Sequence, residues 1–188
     1  MILGIAGPAG AGKDTVADYL VKEHGFKKMK FGGPLRQMLD AVGLFEPADR
    51  EAREQPFKGF DFSWRQAAQK LGTEFGRALD PDIWVKLVKA SVEQNKWLCD
   101  NCSHGDGVEQ RIVLSDVRFE NESKMVRDLG GAVVHLLGRK DLNVGAGAHA
   151  SEMGVLFWLW KDHLIDNSGS RVELHERIEK MLKAIRNA

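Results

Sequence analysis

Residues 2–20, ILGIAGPAGAGKDTVADYL, restrict the chain to few folds. Ile2 to Ala6 is an apolar run of strand length, and Gly7 to Gly12 is a glycine-rich turn. From Lys13 onward the apolar residues fall at helical spacing. This is G-x-x-x-x-G-K in the strand, turn and helix setting that gives the motif its meaning. Such a loop turns successive backbone N–H groups inward around a chain of phosphates. Glycine is needed there because a β-carbon would block close approach or forbid the dihedrals. The helix behind the loop adds the partial positive charge of its N-terminus, and Lys13 would reach the β- and γ-phosphates of a bound triphosphate.

The position after the lysine departs from the commonest form. Asp14 stands where Ser or Thr usually serves Mg²⁺, and the hydroxyl comes one residue later, at Thr15. A carboxylate beside a triphosphate is repelled unless a cation compensates. The G-K-x-T arrangement resembles the nucleoside monophosphate kinases and leads away from GTPase switches and motor ATPases.

At 188 residues the chain is expected to be one domain with room for a small insertion. Lys plus Arg and Asp plus Glu are 27 each, so a general nucleic-acid binder, which carries a basic excess, is not expected. The longest apolar run, Val155 to Trp160, is far too short to span a bilayer. Met1 runs straight into the first strand and there are only two cysteines, so the reading is a cytosolic protein without a disulfide framework, in the host cytoplasm if viral.

Along the chain, the first helix is expected from Lys13 to His24, with Gly25 as its stop. A short strand is expected at Phe26 to Phe31. Pro34 opens a second helix that buries Leu35, Met38, Leu39 and Val42 and ends at Gly43. Phe45 to Phe62 is charged and broken by Pro47, Pro56 and Gly59, and reads as a surface loop or short helix. Ser63 and Gln66 form a capping box for a strong helix whose apolar face is Trp64, Ala67 or Ala68, Leu71, Phe75 and Leu79. Asp80-Pro81 precedes a helix carrying Trp84, Leu87, Val88 and Val92. Trp97 to Gln110 reads as a loop, and Arg111 to Ser115 as a buried strand ending at Asp116. Next come a helix from Phe119 to Leu129, a strand from Ala132 to Leu137, a hinged flap from Arg139 to Ala150, and a helix from Ser151 to Trp160. A last strand runs from Asp162 to Asp166. Ser170 and Glu173 make a second capping box for a helix burying Leu174, Ile178, Met181, Leu182 and Ile185. Strands alternating with helices predict a parallel sheet covered on both faces, with ligands beyond the C-terminal strand ends.

The chemistry-bearing residues cluster at those ends. Asp116 at a strand tip can organise Mg²⁺-bound water and Arg118 can clamp phosphate oxygens; a simple helix cap with a surface arginine is the equal alternative. Arg65, Gln69, Thr73 and Arg77 recur every four residues on one helix face. That stripe suits a phosphate monoester and a base edge, although taken by itself a solvated face is the better reading. The flap headed by Arg139-Lys140 and closed by His149-Ala150-Ser151-Glu152 suits a lid that excludes water. Cys99-x-x-Cys102 with His104 is a weak metal signal, since Zn²⁺ wants four ligands and no second pair follows. The run with Phe157, Trp158 and Trp160 is read as core or as a contact between two copies, which makes a homodimer one expectation.

Taken together, G-P-A-G-A-G-K-D-T, R-Q-A-A-Q-K-L-G-T-E-F-G-R before D-I-W-V, S-D-V-R-F-E-N-E, H-A-S-E and L-I-D-N-S-G-S resemble the deoxynucleoside monophosphate kinases of bacteriophages, in the same order and over nearly the whole chain. The resemblance implies a three-layer α/β P-loop fold like that of adenylate kinase: a parallel sheet with helices on both faces, a helical acceptor-binding insert and a short lid. It implies a core of 1–32, 108–138 and 161–188, an acceptor region of 33–107 and a lid region of 139–160 containing His149 and Glu152. It implies transfer of the ATP γ-phosphoryl group to a deoxynucleoside 5′-monophosphate (dNMP) with Mg²⁺, and no nucleic-acid or membrane partner. The donor phosphates would be held by the backbone of Ala9, Gly10, Ala11, Gly12, Asp14 and Thr15 together with Lys13. Asp116 would sit near the metal, through water, with Arg118 and Arg139 as phosphoryl clamps. Arg36, Arg65, Gln69, Gly72, Thr73, Arg77 and Trp84 would line the acceptor site, and Asn167, Ser168, Gly169 and Ser170 would border the donor adenine. Another small P-loop kinase, such as dephospho-coenzyme A kinase, and a nucleotide-binding regulatory module without turnover are the alternatives.

Overall fold

The computed structural model describes residues 1–49, 51–94, 110–138 and 155–187, with 95–100 described as helical backbone. Five strands, β1 (Ile2–Ala6), β2 (Lys27–Met29), β3 (Ile112–Val117), β4 (Ala132–Gly138) and β5 (His163–Asn167), form one sheet in the order β2-β3-β1-β4-β5. All four pairings are parallel. β1 is therefore central, with β2 and β3 on one side and β4 and β5 on the other. The direction of winding reverses there, and the loop after β1 lies at the switch point where open α/β sheets bind ligands.

The period-two pattern of β1 assigns the faces. Leu3 and Ile5 are fully buried in one cluster with Val16, Ala17 and Leu20 of α1 (Lys13–His24) and Leu174, Ile178 and Leu182 of α7 (Arg171–Arg186). Gly4 faces the other side, where a β-carbon would lie 3.0 Å from methyl groups of Val117 and of Val126 in α6 (Glu120–Asp128). The predicted three-layer α/β architecture is what forms. α1 has the bounds that its sequence suggested, and Gly25 ends it at φ 66°, its N–H bonded to the carbonyls of Leu20 and Val21. Both expected capping boxes are present, at Ser63 with Gln66 and at Ser170 with Glu173.

The chain divides into two compact units, Met1–Lys30 with Asn95–Ala188, and Phe31–Gln94. The first holds the sheet. The second holds α2 (Gly33–Ala41), α3 (Trp64–Gln69), a π-helical stretch (Lys70–Gly76), α4 (Arg77–Leu79) and the start of α5 (Ile83–Asp100). Its loop before α3 is drawn together by Phe57, Phe60 and Phe62 and by a bridge between Pro56 and Ser63.

Four expectations are corrected. The helix from Ser63 is not α-helical throughout. Its wider π turn rotates every later residue off the α-helical wheel, so Phe75 and Leu79 are 52% and 67% exposed instead of buried. The cause is Trp84, whose indole N–H donates to the Gly72 carbonyl at 2.7 Å. Its ring fills the space beside Gly76, where a β-carbon would lie 2.4 Å from it. Leu87 and Met38, expected inside, are exposed, as is Val42, while Val88, Val92 and Leu39 are buried. α5 continues through Trp97 to Asp100, where a loop was expected. Of the helix expected from Ser151 to Trp160, 151–154 lie outside the described residues, and 155–160 form an irregular segment and a turn.

That last segment is held by a buried ion pair. Arg127 of α6 and Asp162 are 3% and 7% exposed. All five guanidinium N–H groups have acceptors: Nε and Nη2 reach the two Asp162 carboxylate oxygens at 3.1 and 2.7 Å, Nη1 reaches Glu120 and Ser123, and Nη2 also reaches the Leu156 carbonyl. The guanidinium lies 4.5 Å from the Trp158 ring centroid. Asp162 also accepts the Trp158 backbone N–H at 2.8 Å and sits 3.1 Å from His135 Nε2. Burial alone would raise the Asp162 pKa, but Arg127 and the other donors outweigh it and hold it below the usual carboxylate range. Burial lowers the His135 pKa. Trp158 and Phe157 are nevertheless about half exposed and Trp160 is 94% exposed. Among the described residues no helix is long and apolar enough to cross a membrane.

Candidate active site

The loop after β1 is shaped by three glycines with positive φ. Gly7 at φ 145° lets the chain pass the Leu136 carbonyl, which a β-carbon would approach to 2.6 Å. Gly10 at φ 84° has open space where its β-carbon would be. Gly12 at φ 93° is the N-cap of α1, and a β-carbon there would lie 2.5 Å from the Asn167 amide nitrogen. That amide donates to the Ala11 carbonyl at 2.8 Å and so ties the loop to the end of β5. Lys13 folds back over the loop, its ammonium donating to the carbonyls of Gly7 (2.6 Å) and Pro8 (2.7 Å). The result is a concave backbone at a helix N-terminus with a cation across it, an arrangement that binds phosphate.

Gly12→Ala should therefore be among the more damaging small substitutions. Left-handed backbone costs a non-glycine residue about 1–3 kcal/mol, and the methyl would also displace Asn167. The expected result is a displaced loop and a lower melting temperature, read by thermal unfolding. A wild-type melting temperature in this variant would contradict the loop geometry.

Asp14 has partners that explain its presence. Lys28 on β2 lies 2.7 Å from its carboxylate and Lys30, just past β2, lies 3.0 Å away; Lys28 also pairs with Asp18 at 2.8 Å. Burial would raise the Asp14 pKa, but the two lysines outweigh that and hold it at about 2. The carboxylate beside the phosphate loop is thus neutralised from the next strand. The sequence signal is K-K-M-K after the first helix, a pattern that by itself indicates only a strand. Because the folded pKa is depressed, this contact stabilises the protein above about pH 3.8 and is lost as pH falls towards about 2. Asp14→Asn should flatten the acid limb of stability in that window, measured as denaturant midpoint against pH. An acid limb as steep as that of the wild type would count against the contact.

Asp116 sits where the β1–β3 register slips. Gly4 pairs with Leu114 but Ala6 with Val117, leaving one extra residue on β3 at Ser115-Asp116. Such bulges re-aim a side chain and are frequent beside active sites. Asp116 is half-buried and Arg118 exposed. The carboxylate of Glu122, itself 3% exposed, accepts the backbone N–H groups of Arg118 (2.7 Å) and Phe119 (3.1 Å) and fixes the turn. Glu122 was not singled out from the sequence, though its place in S-D-V-R-F-E-N-E was a usable signal.

Asn167, which ends β5, and the residues that follow it to Ser170 are already engaged. Asn167 holds Ala11. Ser168 bonds the Asp166 carboxylate through its N–H and hydroxyl, both at 2.9 Å. Ser170 caps α7 with Glu173, which also packs against Gly169.

In the second unit, Arg65 pairs with Glu54 at 3.0 Å and Arg77 donates to the Pro81 carbonyl at 3.1 Å. Gln69 ends α3, and Gly72 and Thr73 fall within the π stretch, so the four-residue stripe does not lie on one α-helical face. Trp84 is 5% exposed and braces this stretch from below. Arg36 lies over the Trp64 ring, 5.6 Å from its centroid. An open apolar groove of about 600 Å³ between α2 and the π stretch is lined by Met38, Val42, Leu71 and Phe75 and takes none of the stripe residues. Arg139, His149, Glu152, Cys102 and His104, and the side chain of Cys99, lie outside the described residues. Among the described residues no group of three or more His, Cys, Asp or Glu could hold a metal.

Comparison with known proteins bears on this arrangement. A family model described as Deoxynucleotide monophosphate kinase matches residues 52–178. A protein of Acanthamoeba polyphaga mimivirus, named "Putative deoxynucleotide monophosphate kinase", is 28% identical over 141 residues, 72% of this chain and 73% of that protein. Among solved structures, dephospho-CoA kinase from Campylobacter jejuni aligns over 98% of this chain and 96% of its own, with a TM-score of 0.52 and 16% identity. This likeness speaks to the fold alone. A gluconokinase from Sinorhizobium meliloti 1021 aligns over 98% of this chain and 93% of its own at a TM-score of 0.46 and 13% identity.

Proposed function

This chain belongs to the deoxynucleotide monophosphate kinase family, and from that we propose that it transfers the γ-phosphoryl group of ATP to a deoxynucleoside 5′-monophosphate, giving a dNDP and ADP. The observation that carries the reading is the loop at the end of β1, with Lys13 folded across its carbonyls. It is a donor-phosphate cradle inside a chain whose family acts on nucleotides. In the proposed reaction an oxygen of the acceptor phosphate bonds to the γ-phosphorus, and the bond to the β–γ bridging oxygen breaks. Little covalent chemistry falls to the protein, so positioning and charge neutralisation carry the effect. The acceptor phosphate is already an anion and needs no dedicated base.

The residues take these parts. The loop from Ala9 to Thr15 directs N–H groups at the donor phosphates, and Lys13 exchanges its loop carbonyls for phosphate oxygens. Lys28 and Lys30 offset the charge of Asp14, so the carboxylate does not repel the triphosphate. Asp116, half-buried and turned by the register slip, suits a hard cation held through water, and Mg²⁺ bound there would neutralise charge on the β- and γ-phosphates. Arg118, with Arg139, would stabilise charge on the transferring group. Arg36, Arg65, Gln69, Thr73 and Arg77 would hold the acceptor, while Gly72 and Trp84 would border it and brace the π stretch that carries Thr73.

A coupled assay for ADP release with dAMP, dCMP, dGMP and dTMP in turn tests the proposal. ADP release stimulated by at least one dNMP is the expected result. Stimulation by dephospho-coenzyme A and by no dNMP would replace it with another small-molecule kinase. Tight ATP binding with no effective acceptor would point to a regulatory module.

A further inference from the structure

Two guanidinium groups of the second unit converge on one carboxylate. Arg36 Nη1, from α2, pairs with Glu46 Oε2, and Arg53 Nη1, from the loop before α3, lies 3.0 Å from Glu46 Oε1. The Glu46 side chain is 16% exposed and each arginine 36%, so the carboxylate sits inside and the guanidiniums reach in from a wetter rim.

The arginines are held independently of Glu46. Arg53 Nε donates to the Pro47 carbonyl at 2.9 Å and Nη2 to the Ala48 carbonyl at 3.3 Å. The Arg36 guanidinium rests over the Trp64 ring. With Glu46 withdrawn, both forks would still point at the same place. Glu46 itself satisfies them poorly. Its Oε1 is buried and lacks an aligned hydrogen bond despite the nearby Arg53 charge. A planar carboxylate offers two oxygens and one charge. A phosphate monoester offers three terminal oxygens in a tetrahedral array and nearly two charges, a better match for two arginine forks.

We propose that Arg36 and Arg53 form the clamp for the 5′-phosphate of the acceptor, and that Glu46 occupies the clamp in the free chain as an internal stand-in anion. This rests on the kinase reading above and adds to it a binding residue, Arg53, outside the arginine stripe, together with a built-in competitor. The acceptor must displace Glu46 to bind, which weakens its apparent affinity by the fraction of chains in which the clamp is open.

Calorimetric titration of the full chain with each dNMP, and separately with ATP, tests the clamp. Glu46→Gln removes the resident charge and keeps the shape, and should bind the accepted dNMP about 3–10-fold more tightly with ATP affinity unchanged. Arg53→Lys keeps the charge but loses the fork, and should weaken dNMP binding about tenfold, again without effect on ATP. If Glu46 were only a brace for its loop, Glu46→Gln would melt earlier and bind the dNMP equally or less well, which would overturn the clamp. Should Glu46→Gln fail to fold, Arg53→Lys decides, and unchanged dNMP affinity there would overturn it. A wild-type chain that neither binds nor phosphorylates any dNMP overturns the kinase reading itself. Wild-type turnover without the two shifts overturns the clamp alone.

Discussion

Lys13→Ala is expected to leave a folded protein that no longer turns over. The ammonium crosses the loop between the carbonyls of Gly7 and Pro8, and Lys13 is not part of the buried apolar cluster. Removing a single preorganised donor from a charge-stabilising site costs roughly 10²–10³ in rate. A lysine that carries a full charge to the transferring group stands at the upper end of that range or beyond it. The melting temperature should stay close to wild type, because α1 keeps its Gly12 N-cap and its buried face of Val16, Ala17 and Leu20. Lys13→Arg should not rescue turnover, since a planar fork does not fit where a compact ammonium spans two carbonyls 2.6 and 2.7 Å away. ADP release with the accepted dNMP, measured beside circular dichroism, separates loss of chemistry from loss of fold. Near-normal turnover in Lys13→Ala would remove the basis of the proposed function.

Arg127→Leu acts in the opposite way, on stability before chemistry. It leaves the Asp162 carboxylate, whose side chain is fully buried, with the Trp158 N–H and His135 as partners. Breaking a buried pair by removing one member costs about 3–5 kcal/mol, or a melting temperature lower by roughly 6–20 °C for a chain of this size. The pH dependence carries the signature. In the wild type the Asp162 pKa is depressed, so its contribution is present above the unfolded value and lost as pH falls. In Arg127→Leu burial is no longer opposed by the guanidinium, so the Asp162 pKa should rise. The variant should then gain stability relative to wild type as pH falls from neutral and the group becomes protonated. The double variant Arg127→Leu/Asp162→Leu should recover much of the loss, because a well-packed apolar pair has no charge to desolvate. Thermal unfolding of the three proteins against pH checks this. A single variant with the wild-type melting temperature would show that the pair does not hold the segment.

Elements with local causes could be read from the sequence, and those with distant causes could not. The phosphate loop, α1 with its Gly25 stop, and the caps at Ser63 and Ser170 follow from residues within a turn or two of one another. The parallel sheet followed from the alternation of apolar runs with helical periods. The π stretch did not, because it depends on Trp84 reaching back to Gly72 from the next helix. A wheel drawn on Leu71, Phe75 and Leu79 therefore placed two exposed residues inside. The run from Val155 to Trp160 has helical composition, but its backbone groups are taken by Glu120, Arg127 and Asp162 from other elements. The cysteines, asparagine and histidine after Trp97 suggested a loop, yet the helix runs on to Asp100. The same rule holds at the site. Lys13 and the glycines declared themselves, whereas the partners of Asp14 come from β2 and the engagement of Asn167 with Ala11 spans the fold.

That last contact also bears on how the protein is made. Ala11 and Asn167 are separated by 156 positions, and β5 enters the sheet only by pairing with β4. On a ribosome, the loop emerges 156 positions ahead of its tether. Closing so long a connection is slow compared with forming local helices. A nascent chain ending before β5 therefore carries the glycine loop without the amide that holds it, and any nucleotide binding by that loop should mature only once β5 has docked. Nucleotide capture in this protein would thus report that nearly the whole sheet has assembled.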